Sequence, residues 1–170
     1  MFEIKIEDQA IMAALGRLEQ AGRDMSPVMR SIAEELREQT EANFEAEGRP
    51  KWLGIQPRKG REGGQILQDT GQLAASISTT SDATSAVIGS NKVYAAIHQL
   101  GGKTRPHVIR PRNKQALAFG GRVVKSVNHP GSNIPARPFL PVDAQGSLQP
   151  EAREAILSLA SNYLSNVAGR

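Results

Sequence analysis

At 170 residues the chain is long enough for one ordinary domain and short for two, and 39% hydrophobic content with 16 glycines and 10 prolines points to much loop. Having no cysteine, it excludes a disulfide framework, a thiolate zinc site and a cysteine nucleophile. The net charge of +4 conceals a division: residues 83–142 hold no Asp or Glu but contain Lys92, Lys103, Arg105, Arg110, Arg112, Lys114, Arg122, Lys125 and Arg137, whereas Glu34, Glu35, Glu38, Glu41, Glu45 and Glu47 crowd one early segment. Such a division favours head-to-tail contact between copies, or contact with nucleic acid.

In chain order, Phe2, Ile4 and Ile6 alternate with Glu3, Lys5 and Glu7, the period-two pattern of a short half-buried strand. With no cationic start before an apolar run, this opening is not expected to be a signal peptide, and no stretch approaches the roughly 20 apolar residues of a membrane span. A soluble protein is expected. Asp8 caps a helix with Ile11, Met12, Leu15 and Leu18 on one face, ended at Gly22. Ser26 as N-cap and Pro27 in the first turn start a second helix, striped by Met29, Ile32, Ala33, Leu36, Thr40 and Phe44 and acidic on its other face.

Residues 47–65 lose periodicity and interleave glycine and proline with Arg49, Lys51, Arg58, Lys59 and Arg61, which reads as a mobile basic loop. Trp52, the sole tryptophan, requires a core pocket or a neighbouring subunit. Asp69 and Gln72 resemble a capping box ahead of a short helix or turn, followed by β segments at 76–80 and 85–88 joined by a polar turn. Residues 94–100 read as a short helix stopped by Gly101-Gly102. Strands follow at 108–110 and 115–119, and Gly120-Gly121 joins the latter to 122–127 in a basic hairpin that projects. A last helix over 150–167 places Ile156, Leu157, Ala160, Tyr163, Leu164 and Val167 on one face.

Catalytic patterns are missing. His98, His107 and His129 stand nine and twenty-two positions apart with no carboxylate among them, unlike a metal ligand set. There is no Gly-x-Ser-x-Gly elbow, and no glycine pair is followed by the Lys-Ser or Lys-Thr of a phosphate loop. No enzyme activity, metal or cofactor is expected. The basic stretch 103–125 suits either a phosphate backbone or a subunit-facing or solvated surface, though with Phe119 as its one aromatic it lacks a stacking platform for single strands. Pro135, Pro138 and Pro141 fix a rigid strap with few main-chain donors, in which Arg137 fans hydrogen bonds to carbonyls while Phe139 and Leu140 enter the core. Such a strap either shapes an oligomer interface or closes the core.

The ordered strings LQDTGQLAASI at 67–77, IGS at 88–90, YAAIHQLGG at 94–102 and IPARPFLP at 134–141 resemble the virion morphogenesis or tail completion proteins of Mu-like and related tailed bacteriophages. Thr70-Gly71 with Leu73 and Ser76, Tyr94 with His98 and Gly101-Gly102, and Pro135 with Arg137, Pro138 and Phe139 carry the likeness. It implies an α+β subunit: a small antiparallel β-sheet or barrel packed against long N-terminal and C-terminal helices, with extended loops, as one domain over 1–170. It also implies a structural role at the tail end or head-tail joint of the virion, reached from the host cytoplasm, in a homo-oligomeric ring, six by the usual tail symmetry, beside tail and neck or connector proteins. Within such a ring the candidate subunit-interface residues are Glu34, Glu38, Glu41, Trp52, Arg137 and Phe139. Candidate DNA-facing residues are Arg58, Lys59, Arg61, Arg122 and Lys125. Two alternatives remain open: a DNA-binding protein using the basic 103–125 region, and a transient assembly factor absent from the mature particle.

Overall fold

The computed structural model describes residues 8–55, 64–143 and 145–169. The alternating segment at 2–7 and the basic residues Arg58, Lys59 and Arg61 therefore lie outside the described residues.

Helix α1 spans Gln9–Arg23. The Asp8 carboxylate caps it by accepting from the backbone N–H groups of Ala10 and Ile11. Gly22 does not end the helix, which continues to Arg23 before the chain turns extended at Asp24. The second helix, α2, covers Ser26–Glu45. Ser26 already belongs to it, and the acceptor at its entry is Asp24, which takes the Ser26 backbone N–H at 2.9 Å. Hydrogen bonds from the Ser26 side chain and backbone hold the Asp24 carboxyl below the usual range.

Helix α2 is the spine of the fold. Its buried face comprises Val28, Ala33, Leu36, Thr40, Asn43 and Phe44, and it packs against a β-hairpin on one side and the last helix on another. A turn of 3-10 helix at Ala74–Ser76 leads into that hairpin, β1 (Ile77–Ser81) paired antiparallel with β2 (Ala86–Ser90) in the register Ile77↔Ser90 to Ser81↔Ala86. Asp82 ties the connecting turn by accepting from the backbone N–H groups of Thr84 and Ser85 and from both hydroxyls, and these bonds bring its pKa down to about 2.

Helix α3 (Ala95–Leu100) follows and stops at Gly101, whose φ of 72° suits a glycine terminus. The chain then runs out and back in nested antiparallel pairs: β3 (Gly102–Lys103) with β8 (Asn133–Ile134), β4 (His107–Ile109) with β7 (Val127–His129), and β5 (Leu117–Phe119) with β6 (Arg122–Val124). The hairpin expected around 115–127 is thus the end of a longer two-stranded arm. No barrel closes, since the sheets are four separate two-stranded ladders.

Helix α4 (Pro150–Gly169) packs on both α1 and α2. Arg17 fastens α1 to its end by donating to the Val167 and Ala168 carbonyls at 3.1 and 2.6 Å. The apolar faces of these outer helices are only partly covered. Ile11, Met12 and Leu15 stay exposed, as do Leu157 and Leu164, which the helical period had grouped with the inward face. Only Ala152 of α4 is fully buried among the described residues. No helix among the described residues is long and apolar enough to cross a membrane.

Candidate functional site

The segments singled out by motif converge on one place, the strap from 134 to 142. Phe139 is 1% exposed and its ring stacks on Phe44 with centroids 5.5 Å apart, while Trp52 meets Phe44 edge-on at 6.0 Å. Ile66, Leu73 and Ala95 complete this buried cluster. Burying one such aromatic side chain contributes roughly 1.5–3 kcal/mol, so the strap is held first by its ring.

Three prolines leave the strap few donors, and side chains supply the missing partners. Gln99 accepts from the Phe139 and Leu140 N–H groups, both at 2.9 Å, and donates to the Val142 carbonyl. Trp52 Nε1 donates to the Pro138 carbonyl and Asn43 Nδ2 to that of Phe139. Asn43 also donates to Gln149 Oε1 and accepts from Arg49 Nε, so its amide is satisfied on both sides although it has no exposed surface. Arg49 continues to the Gln39 carbonyl and side chain. Asn43, Gln99 and Arg49 escape sequence reasoning. A signal existed for two of them: Asn43 continues the buried stripe three residues after Thr40, and Gln99 follows Ala95 by one helical turn.

Arg137 donates through Nε and Nη2 to the Leu53 carbonyl. Its placement corrects part of the interface expectation. Trp52, Arg137 and Phe139 are 7%, 8% and 1% exposed, so they serve the core of their own chain and present almost no surface to a neighbour. The physical reason is the aromatic cluster, which takes up Trp52 and Phe139 together.

Beside the strap lies a cavity of about 310 Å³ lined by Thr70, Leu73, Tyr94, His98 and Arg137, among others. His98 meets the Tyr94 ring edge-on at 6.0 Å, and its buried Nδ1 has no hydrogen-bond partner among the described residues. Burial and then the neighbouring Arg137 charge push the imidazole pKa below 6.5, favouring the neutral ring. Among the described residues no cluster of three or more His, Cys, Asp or Glu could hold a metal ion.

Two charged surfaces face outward. On the arm, Lys103, Arg105, Arg110, Arg112, Lys114, Arg122 and Lys125 are all exposed and none forms an ion pair or side-chain hydrogen bond among the described residues. The arm strands contact chiefly one another. Its base is stitched by Thr104 and Ser132, and His107 stacks across the strands on His129 at 5.1 Å. Between the second and third ladders seven residues, 110–116, stand opposite only two, 125–126, so a bulge forms that carries Arg110, Arg112 and Lys114 with Lys125 across from it.

On α2, Glu34, Glu38, Glu41 and Glu45 are exposed and recur every three or four residues. That spacing makes one stripe, on the face opposite Leu36 and Thr40. None of the four is ion-paired among the described residues, and like charges three or four apart cost an isolated helix about 0.2–0.5 kcal/mol per pair. Arg30 and Arg37 lie along one flank of the stripe and relieve it in part.

The family model for phage virion morphogenesis matches residues 6–165. The chain belongs to the phage virion morphogenesis family. It is 40% identical over 141 residues to the Mu-like prophage FluMu G protein 2 of Haemophilus influenzae, covering 82% of this chain and 83% of that one. It is also 31% identical over 154 residues to the putative capsid assembly protein G of Escherichia phage Mu, covering 84% and 85% of the two chains. No solved structure matches. Its role is therefore in phage assembly, in the particle or in the host cell as particles are built.

Proposed function

We propose that this family member is a structural, non-enzymatic virion component that completes the tail end or head-tail joint as a homo-oligomeric ring, one domain per subunit. The open apolar faces of the outer helices carry the reading. Ile11, Met12 and Leu15 on α1 and Leu157 and Leu164 on α4 are exposed by 45–68%, which suits an assembling subunit better than a lone monomer. The buried polar groups, meanwhile, lock the subunit's own strap.

The test is the copy number of the protein in purified, DNA-filled particles, measured by quantitative mass spectrometry against a major tail protein. About six copies, the expectation from tail symmetry, supports a ring beside tail and neck or connector proteins. Absence refutes the structural reading and leaves a transient assembly factor. A second reading, non-specific DNA contact, is favoured by the seven exposed cations of the arm, Arg122 and Lys125 among them. It requires binding by the free protein that weakens steeply with salt.

A further inference from the structure

We propose that the basic bulge of the arm docks on the acidic α2 stripe of a second copy of this chain. The inference rests on the self-assembly reading above and names the contact that makes it. Four carboxylates in one stripe and four cations at one bulge are each exposed and, among the described residues, unpaired. Each set repels itself, and each is relieved by the other.

A strand rises about 3.3 Å per residue, so Gly102 to Arg110 gives the bulge a contour of roughly 25 Å from the arm's base. The arm strands contact chiefly one another, and none packs substantially on its own α2, which leaves a neighbour's helix as the complementary surface. DNA is the competing partner for the cations, but it does not account for the unpaired carboxylates. The contact is heterologous, one surface on each partner, so it repeats from copy to copy and closes a ring where the rotation permits.

Two full-length variants test it. One carries Arg110→Glu, Arg112→Glu and Lys114→Glu; the other carries Glu34→Lys, Glu38→Lys and Glu41→Lys. All six side chains are exposed and, among the described residues, unpaired, and matching circular dichroism and melting curves establish that both variants fold. Size-exclusion chromatography with light scattering, on nuclease-treated protein at low salt, gives the readout. The expected result is an oligomer for wild type, at least a tenfold loss of oligomer for either variant alone, and recovery when the two are mixed. Recovery follows because the acidic arm of one variant meets the basic stripe of the other, and the wild-type arm meets the wild-type stripe. Failure of the mixture to recover, variants that assemble alone, a monomeric wild type, or association that needs added DNA each overturns the docking. Particle copy number is read separately, so a protein absent from virions that still shows mutual rescue refutes the location and leaves the contact standing.

Discussion

Asn43 is the residue on which the strap's fit turns, and Asn43→Leu removes its hydrogen bonds while keeping the branched shape of the side chain. The leucine strands the Phe139 carbonyl, which has no other donor among the described residues, and an unsatisfied buried acceptor costs about 1–3 kcal/mol. Arg49 keeps its bonds to Gln39 and Gln149 keeps its donation to the Arg49 carbonyl, so their losses add about 1 kcal/mol together. The expected loss is therefore about 2–4 kcal/mol, or a melting temperature lowered by roughly 5–15 °C in a chain of this size. Urea unfolding followed by the fluorescence of Trp52, which lies in the same cluster, measures it. Thr40→Val is the control: Thr40 is as fully buried, but its hydroxyl bonds only the Leu36 carbonyl one turn back, and its replacement costs less than about 1 kcal/mol. Equal losses in the two variants, or a loss below about 0.5 kcal/mol for Asn43→Leu, would refute the reasoning.

Two further outcomes follow from the same region. Gly101→Ala places a Cβ at φ 72° and 2.8 Å from the Ala136 backbone nitrogen, so it should destabilise by about 2 kcal/mol or more in the same denaturation assay, whereas Gly16→Ala, with open space around it, should not. His98, with its pKa depressed by burial and by Arg137, contributes stability that is intact above the unfolded pKa of 6.5 and lost as pH falls from there through its lower folded value. Wild type should thus be weaker toward urea at pH 5 than at pH 7.5, and His98→Gln should narrow that gap; an unchanged gap counts against the buried neutral ring.

Local pattern carried much of this fold. The period of Ala33, Leu36, Thr40 and Phe44 is α2's buried face, the polar turn at Asp82 joins β1 to β2, and Gly101 stops α3. The strap was legible too, because three prolines in seven residues restrict the backbone by themselves: Arg137 bonds a carbonyl and Phe139 fills the core. What escaped was set by partners distant in sequence. Asn43 bonds Phe139 and Gln149, 96 and 106 positions away, and no local spacing encodes that. The arm is foreseen as its outer hairpin and a strand at 108–110 but not as one paired ribbon, because Gly102–Lys103 and Asn133–Ile134 are too short to show a strand period before they pair. The two outer helices went wrong in the other direction: their period promised burial for Met12 and Leu157, but period specifies a face and not what covers it.

The arm is a ribbon only two strands wide, so each strand keeps a free edge of unpaired backbone groups. Such edges recruit other strands indiscriminately, and a subunit made in many copies within a crowded cell is at high risk. Five lysines and arginines along the outgoing side, with Arg122 and Lys125 on the returning one, set every arm against every other arm, since ribbons of like charge repel. The charges that we assign to docking thus have a second effect. They turn edge-to-edge pairing between arms away and leave the acidic stripe of another copy as the surface an arm would meet.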